Sequence, residues 1–264
     1  MRIKVNDISI NHELAGSGKT LVLIHGLGGN NQTWETQVPI LSQHYQVLTW
    51  DVRGHGQSDK PEGDYSAELF ASDLAALLRT RGIGSAIVLG HSMGGVIALR
   101  FALDFPSLCD ALIVSSSSAE LNPQATKYWQ DLAATVLEKG MESDPLDPGR
   151  VFSKAFVERN PEAVEEFVRK RPVNEPSCYA RAALAMSSYN YNDELGSIQC
   201  PTLIIVGDQD VVTPPGGSVK MSRLIPGSRL IILKDCGHVS YVEQPDVFST
   251  AVLEFLREVC ASAE

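Results

Sequence analysis

The sequence lacks three features that would each point to a particular class of protein. It has no apolar run near the roughly 20 residues of a membrane span, and residues 1–7 lack the apolar core of a signal peptide. Its five cysteines are widely spaced, with no close pair of metal-ligand spacing. Positive charge is scarce, since 22 Lys and Arg against 32 Asp and Glu give a net charge of −10. We therefore predict a cytoplasmic protein with reduced thiols that binds neither nucleic acid nor a membrane.

Two glycine-rich stretches do not match nucleotide-binding motifs. Gly18-Lys19-Thr20 is similar to the end of a phosphate-binding loop, but Glu13 stands where the first glycine of that motif belongs, and a strand follows instead of a helix. After Gly26-Leu27-Gly28-Gly29, the third glycine of a dinucleotide-binding fingerprint falls on Asn31. A small, neutral or weakly charged ligand is the expected partner.

Short apolar strands alternate with amphipathic helical segments, which indicates an α/β protein with a mostly parallel sheet and helices on both faces. Eight strands are predicted, near 2–6, 9–14, 20–24, 46–50, 86–90, 110–115, 201–206 and 229–233. Helices are predicted at 33–43, 66–81, 94–105, 216–224 and 245–260. At 264 residues, of which 44% are hydrophobic, a single core is sufficient.

The strand pattern stops between residues 119 and 195, where prolines interrupt helical segments. We interpret 119–195 as a helical lid inserted into an α/β core formed by 1–118 and 196–264. Each large apolar side chain of the lid could simply dock it on the core, but as a set they predict the roof of an apolar pocket. These side chains are Trp129, Met141, Phe152, Phe156, Phe167, Tyr179, Met186, Tyr189 and Tyr191.

The strongest chemical signal is Gly90-His91-Ser92-Met93-Gly94, which directly follows an apolar strand. A strand that turns sharply into a helix holds a serine in a strained conformation, and Cβ atoms in place of the two glycines would collide. The following segment, 93–103, is apolar nearly all round, which predicts a buried helix whose first N–H groups face Ser92. Ser92 is the predicted nucleophile; the alternative is a glycine-rich turn with a surface serine.

A serine hydroxyl needs a base, and the base needs an acid that fixes its tautomer. Only His238 stands in a glycine-flanked loop between a strand and the last helix, from which its ring can reach the carboxyl end of the sheet. His91 adjoins the serine, but neighbours in a sharp turn point apart. His25 and His55 lie in glycine turns, where loop-shaping hydrogen bonds are expected. Cys236 is a weak alternative nucleophile because its own segment offers no base.

Two aspartates compete for the role of the acid. The buried strand 203–206 leads into Gly207-Asp208-Gln209-Asp210 at the same sheet edge as Ser92. Either aspartate could orient the histidine, and the other would be a turn-forming residue that bonds its own backbone. The residues alone do not decide between them. The order serine, aspartate, histidine along the chain is nevertheless typical of one fold.

Over nearly its whole length the chain resembles the α/β-hydrolase superfamily. The matching landmarks, in order, are His25-Gly26-Leu27-Gly28-Gly29, residues 51–59, Gly90-His91-Ser92-Met93-Gly94-Gly95, Gly207-Asp208-Gln209-Asp210, and Gly237-His238 before Glu243-Gln244-Pro245. The resemblance implies that Asp210 is the acid and Asp208 structural. It also implies an oxyanion hole formed by the N–H groups of Leu27 and Met93, with each donor contributing about 3 kcal/mol.

Within the superfamily the chain is most similar to small carboxylesterases and lactonases of the 3-oxoadipate enol-lactonase type. This implies a serine hydrolase that uses Ser92, His238 and Asp210 on a small-molecule ester or lactone, with no cofactor and no metal. Two alternatives share the fold. One is a carbon–carbon bond hydrolase of a dienoate ring-fission product, in which Arg181 of the lid is either a carboxylate anchor or simply a solvated helix charge. The other is a ligand receptor with low turnover.

Overall fold

A mostly parallel sheet carries the fold. The computed structural model describes residues 1–144 and 146–261, without the side chains of the last two of these. The eight strands are β1 (Arg2–Val5), β2 (Ile8–Ala15), β3 (Thr20–Ile24), β4 (Gln46–Trp50), β5 (Ala86–His91), β6 (Cys109–Ser115), β7 (Thr202–Gly207) and β8 (Arg229–Leu233). Their order is β1-β2-β4-β3-β5-β6-β7-β8. β2 pairs antiparallel with both β1 and β4, and the remaining neighbours pair in parallel.

Helices cover the sheet and fill the segment between β6 and β7. They are α1 (Val38–Leu41), α2 (Ala67–Thr80), α3 (Met93–Asp104), α4 (Pro123–Lys139), α5 (Pro148–Val151), α6 (Lys154–Arg159), α7 (Pro161–Arg169), α8 (Pro176–Ala185), α9 (Pro215–Leu224), α10 (Ser240–Glu243) and α11 (Pro245–Ala261). Short 3-10 turns occur at Asn31–Trp34, Pro106–Leu108, Met141–Ser143 and Leu195–Ser197. The strands and all but one of the helices predicted above agree with these bounds to within one residue.

The exception is the helix predicted at 33–43, which is wrong. A 3-10 turn ends at Trp34, and α1 begins only at Val38. Pro39 provides the reason, because its ring would clash with the carbonyl group of Glu35 in a continuous helix, and it has no N–H to donate. In the first turn of α1, where Pro39 lies, no such donor is needed.

The sheet separates two apolar layers. On one face, α2 and α3 bury Phe70, Leu74 and Phe101 completely. On the other face, α11 buries Phe248 and Leu256 completely, as its 3.6-residue periodicity predicts. Each such side chain contributes about 1.5–3 kcal/mol by leaving water. The central strands, packed on both faces, therefore form a rigid support for the loops at their ends.

Between β6 and β7, the part of the chain that the structure describes contains α4 to α8 and no strand of the sheet. An isolated bridge between Glu120 and Asn190 joins the two ends of this segment. Inside it, α4 packs on α8 through Ala133, Ala180 and Ala183, each 1% exposed or less. The division into a core of 1–118 and 196–264 and a lid of 119–195 stays a prediction with which this arrangement agrees.

Four cysteines fall within the described side chains, and all four are free thiols. Cys109, Cys178 and Cys236 are buried and Cys200 is half-buried, as expected for reduced thiols in or near the core. The side chain of Cys260 lies outside the described residues. Within 1–144 and 146–261, none of the helices combines the length and apolar character needed to cross a bilayer.

Candidate active site

The three predicted catalytic residues lie in turns and loops that follow strands of the sheet. Ser92 directly follows β5, Asp210 follows β7 and His238 follows β8. β7 and β8 are paired neighbours, with Gly207 opposite Leu233 at their carboxyl ends. Because parallel strands end at the same edge, the segments that leave them converge there, where α/β proteins bind their ligands.

Ser92 occupies a strained turn between β5 and α3. Its backbone has φ 53° and ψ −117°, with φ in the range that normally favours glycine. A Cβ at Gly90 would lie 1.9 Å from the carbonyl oxygen of Gly94, and one at Gly94 would lie 2.3 Å from the carbonyl oxygen of Ile24. The expected collision is confirmed. The helix behind the serine is also buried, from Met93 to Ala102.

Asp210 and His238 form a directly bonded pair. The Nδ1 atom of His238 lies 2.8 Å from Oδ2 of Asp210, which also accepts a hydrogen bond from the Thr213 hydroxyl at 2.8 Å. The N–H groups of Val212 and Thr213 donate to Oδ1 at 2.9 and 2.8 Å. Burial alone would raise the pKa of Asp210, but the His238 ring and these donors lower it below its ordinary value. An ionised Asp210 holds the ring proton on Nδ1 and leaves Nε2 as the acceptor.

Asp208 has a different environment. Its side chain is exposed, whereas Asp210 is only 3% exposed. One oxygen of Asp208 accepts a hydrogen bond from the N–H of Cys236 at 3.3 Å. The structure thus brings Asp210 to His238 and leaves Asp208 as a support of the loop that follows β8. Burial raises the pKa of the Cys236 thiol, which disfavours a thiolate nucleophile there.

Ser92, Leu27 and His238 line the same cavity. Among the described residues no hydrogen bond to the Ser92 hydroxyl is present; in free enzymes such bonds are often long and tighten when substrate binds. The N–H groups of Leu27 and Met93 likewise have no acceptor within 1–144 and 146–261. Met93 is the first residue of α3, so its N–H has no intrahelical partner. Both groups are available to an oxyanion.

Hydrogen bonds fix the loop that carries Leu27. The Nδ1–H group of His25 donates to the carbonyl oxygen of Gly26 at 2.8 Å, and Nε2 accepts from the N–H of Val52 at 3.0 Å. Burial lowers the pKa of His25, so its ring is neutral and suited to this pair of bonds. The carboxylate of Asp51 accepts from the N–H of Asn31 at 2.6 Å. The predicted loop-shaping role of His25 is confirmed.

The ring of His91 packs against the proposed base. Its ring centroid is 4.8 Å from that of His238 and 4.9 Å from that of Tyr241. Burial, followed by repulsion from His238, keeps the pKa of His91 well below its ordinary value. Among the described residues no hydrogen bond joins the His91 ring to the Ser92 hydroxyl, so the expectation that these two side chains point apart stays a prediction. A neutral ring packs against His238 without adding charge.

The cavity has a volume of about 960 Å³ and lies beneath the lid. Of the nine large apolar side chains predicted to form its roof, Trp129, Phe167 and Tyr179 line it. The other six are not part of its lining and agree with the alternative that a single side chain docks the lid: Phe152, for example, stacks on Phe156 with ring centroids 5.1 Å apart, and Met186 packs in the core. Polar and charged lid side chains complete the lining: Tyr128, Asp144, Asp147, Arg150, Glu166, Lys170 and Arg171.

Polar side chains of the lid hydrogen-bond one another, and one of them bonds the loop that carries Leu27. The hydroxyl of Tyr179 and the guanidinium of Arg171 both donate to Asp144, at 2.7 and 3.0 Å. Asn174 donates to the carbonyl oxygen of Gly28 in the Leu27 loop at 2.9 Å. Arg181 does not take part. It donates to the carbonyl oxygen of Pro61 at 3.3 Å and lines a separate pocket of about 260 Å³, so it is not an anchor in the cavity.

Comparisons of the sequence and of the structure with known proteins both relate this chain to α/β hydrolases. The sequence profile for the alpha/beta hydrolase fold matches residues 19–245. The 3-oxoadipate enol-lactonase 2 of Acinetobacter baylyi is 30% identical over 253 residues, which cover 95% of this chain and 94% of that protein. An esterase of Thermogutta terrifontis, solved with malate bound, superposes with a TM-score of 0.90 at 30% identity, covering 98% of this chain and 99% of that one. The enol-lactonase of Burkholderia xenovorans gives a TM-score of 0.90 at 28% identity, covering 97% and 100%.

Proposed function

This chain belongs to the α/β-hydrolase family, and from that premise we propose that it cleaves a small carboxylic ester or lactone through an acyl-enzyme on Ser92. One observation carries the proposal. The 2.8 Å contact between His238 and Asp210 lies at the wall of the cavity that Ser92 enters from its strained turn. This is the arrangement that activates a hydroxyl group toward a carbonyl carbon.

Each side chain has one role in the proposed reaction. Nε2 of His238 accepts the Ser92 proton as Oγ attacks the carbonyl carbon, and the carbonyl electron pair moves onto oxygen. The N–H groups of Leu27 and Met93 stabilise that oxyanion. When it collapses, the bond to the leaving oxygen breaks and His238 returns the proton to it. Water then repeats the two steps on the acyl-enzyme and releases the acid, while Asp210 keeps His238 oriented throughout.

The cavity supports a small substrate with an apolar part. A volume of about 960 Å³ lies at the upper end of the range for small-molecule sites. Trp129, Phe167 and Val212 offer apolar surface on its wall. The esterase and the enol-lactonases among the similar proteins act on esters and lactones according to their names, which favours this class of substrate.

Replacing Ser92 by alanine tests the proposal. We expect kcat/KM for short p-nitrophenyl esters and simple lactones to fall by roughly 10³-fold or more, because the attacking oxygen is gone. The melting temperature should stay the same or rise, because the substitution removes only the side-chain oxygen and leaves the main chain of the turn as it is. An organophosphonate ester should label Ser92 in the wild-type protein, as seen by peptide mass spectrometry.

Ser187→Ala is the matched control, because Ser187 is a buried lid serine whose hydroxyl, among the described residues, bonds only the Leu184 carbonyl at 2.7 Å. It should keep wild-type activity. Full activity in Ser92→Ala would refute the assignment of the nucleophile. A wild-type protein that hydrolyses none of these esters or lactones would refute the proposed substrate class.

The alternatives gain no support from the site. The carboxylate anchor considered for a dienoate hydrolase, Arg181, lies outside the cavity. A receptor would not need the bonded pair of Asp210 and His238. Assaying a ring-fission product beside the esters compares the carbon–carbon alternative directly.

A further inference from the structure

One segment of the lid is bonded to the loop that carries His238. This segment, 151–153, joins α5 to α6. The carbonyl oxygen of Val151 accepts hydrogen bonds from the N–H groups of His238, at 2.8 Å, and Val239, at 3.2 Å. The main chain of the proposed base is therefore held by the lid, although its imidazole is held by Asp210 of the core.

A single carboxylate reinforces this connection. Oε1 of Glu243, in the last turn of α10, accepts hydrogen bonds from the N–H groups of Gly237 at 2.7 Å and Ser153 at 3.1 Å. Oε2 accepts from the Ser153 hydroxyl at 2.6 Å. Glu243 thus binds the lid segment and the histidine loop at the same time. Burial raises the pKa of Glu243, and the hydrogen bonds from Ser153 and Gly237 oppose that rise by stabilising the carboxylate.

The two segments are also in direct van der Waals contact. A Cβ at Gly237 would lie 2.7 Å from the carbonyl carbon of Phe152, from the nitrogen of Ser153 and from Oε1 of Glu243. Two of these are main-chain atoms, so no small side-chain movement would make room. Ser153 is 1% exposed and His238 is 5% exposed. The Ser153 side of the junction is therefore buried, and Glu243, which bridges it, is half-buried.

Resting on the function proposed above, we propose that Ser153 and Glu243 are positioning residues for His238. Asp210 fixes one atom of the imidazole, which leaves the ring free to tilt with its main chain. The Glu243 bridge and the Val151 carbonyl fix that main chain from the opposite side. The loop needs such support, because Asp235 within it has φ 53°, a conformation that persists only where surrounding contacts impose it. Consequently, segment 151–153 cannot move away from the cavity without moving the base.

Kinetics and amide exchange test this proposal together. In Ser153→Ala and Glu243→Gln we expect kcat for p-nitrophenyl butyrate to fall roughly 10- to 100-fold with KM within about twofold, because misplacing the base affects the chemical step more than binding. Ser153→Thr keeps the hydroxyl and should keep most of kcat. Hydrogen–deuterium exchange of the peptide containing 236–239 should become faster in Ser153→Ala.

The Ser153 hydroxyl also caps α6, since it accepts from the N–H of Phe156 at 3.2 Å. Asn122→Ala is therefore the control, because it removes the side-chain cap of α4, a 2.8 Å bond to Ala125, elsewhere in the lid. It should change neither kcat nor exchange at 236–239. Equal losses of kcat in Asn122→Ala and Ser153→Ala would overturn the proposal, as would an unchanged kcat in Ser153→Ala.

Failure of the proposed function gives a different result. In that case the wild-type protein hydrolyses neither esters nor lactones, and exchange at 236–239 still reports whether the bridge holds the loop. Faster exchange in Ser153→Ala than in the wild type would support the bridge, and equal exchange would refute it.

Discussion

Replacing Asp210 by asparagine exchanges one carboxylate oxygen for an NH₂ group and so tests how Asp210 orients His238. Oδ1 accepts two main-chain N–H groups, from Val212 and Thr213, and these donors select the amide oxygen of an asparagine for that position. The amide NH₂ group then faces Nδ1 of His238 in place of Oδ2. Because NH₂ donates, Nδ1 must become an acceptor and the ring proton moves to Nε2. A protonated Nε2 cannot accept the proton of Ser92.

The expected loss follows from this change of tautomer. Histidine in the wrong tautomer lowers kcat by roughly 10⁴-fold in the best-studied serine hydrolase, which corresponds to about 5.5 kcal/mol in the barrier. KM should change little, since Asp210 does not reach the substrate. The fold should lose only about 1–3 kcal/mol, because two of the four hydrogen bonds to this side chain remain.

Asp208→Asn is the matched control. Asp208 is exposed, and its amide oxygen can still accept from the N–H of Cys236, so kcat should stay within about twofold of the wild type. Steady-state hydrolysis of p-nitrophenyl butyrate, with thermal unfolding of each variant, measures both quantities. The reasoning fails if Asp210→Asn keeps kcat within tenfold, or if Asp208→Asn loses more than Asp210→Asn.

Two further predictions concern backbone crowding and a buried histidine. In Gly90→Ala the new Cβ lies 1.9 Å from the Gly94 carbonyl oxygen, so we expect the free energy of unfolding to fall by about 1–3 kcal/mol, whereas Gly84→Ala, with open space around it, should be neutral in urea titrations. Burial, with repulsion from His25, lowers the pKa of His55 to about 3, so the unfolded chain binds a proton there before the folded one does. Stability present above pH 6.5 is then lost toward pH 3, at up to about 1.4 kcal/mol per pH unit. His55→Gln should flatten this dependence between pH 6 and 5, and an unchanged slope in urea titrations would contradict the argument.

The sheet and the turn at Ser92 were predictable from the sequence because their constraints are local. The apolar strand before the turn and the glycines at 90 and 94 act within a few residues of one another. The choice between Asp208 and Asp210 was not predictable from the residues alone. Both lie in one turn, and the difference arises where β8 and its loop pack: the N–H of Asp208 bonds the Leu233 carbonyl at 2.9 Å, whereas the side chain of Asp210 turns inward to His238.

The lid was predictable as a set of helices but not in the roles of its side chains. Which face of a short helix meets the cavity depends on contacts between helices that are distant in sequence. Phe167 therefore lines the cavity while Phe152 packs on Phe156, although both are apolar residues of neighbouring segments. Arg181 illustrates the same point, since its bond to Pro61 directs it to another pocket. No sequence pattern marks the contact of Ser153 with a glutamate 90 residues away.

The structural elements that hold each proposed catalytic group predict how that group responds to substitutions nearby. Ser92 and the two N–H donors depend on β5, α3 and the loop braced by His25, which all belong to the buried sheet region. His238 depends on the core and the lid together, through Asp210 on one side and segment 151–153 on the other, whereas the lid reaches the Leu27 loop through the bond from Asn174 to Gly28. Substitutions in α7 and α8 that face the cavity should therefore change which substrate is preferred. Changes near segment 151–153 should instead lower kcat for every substrate, because they act on the base common to all of them.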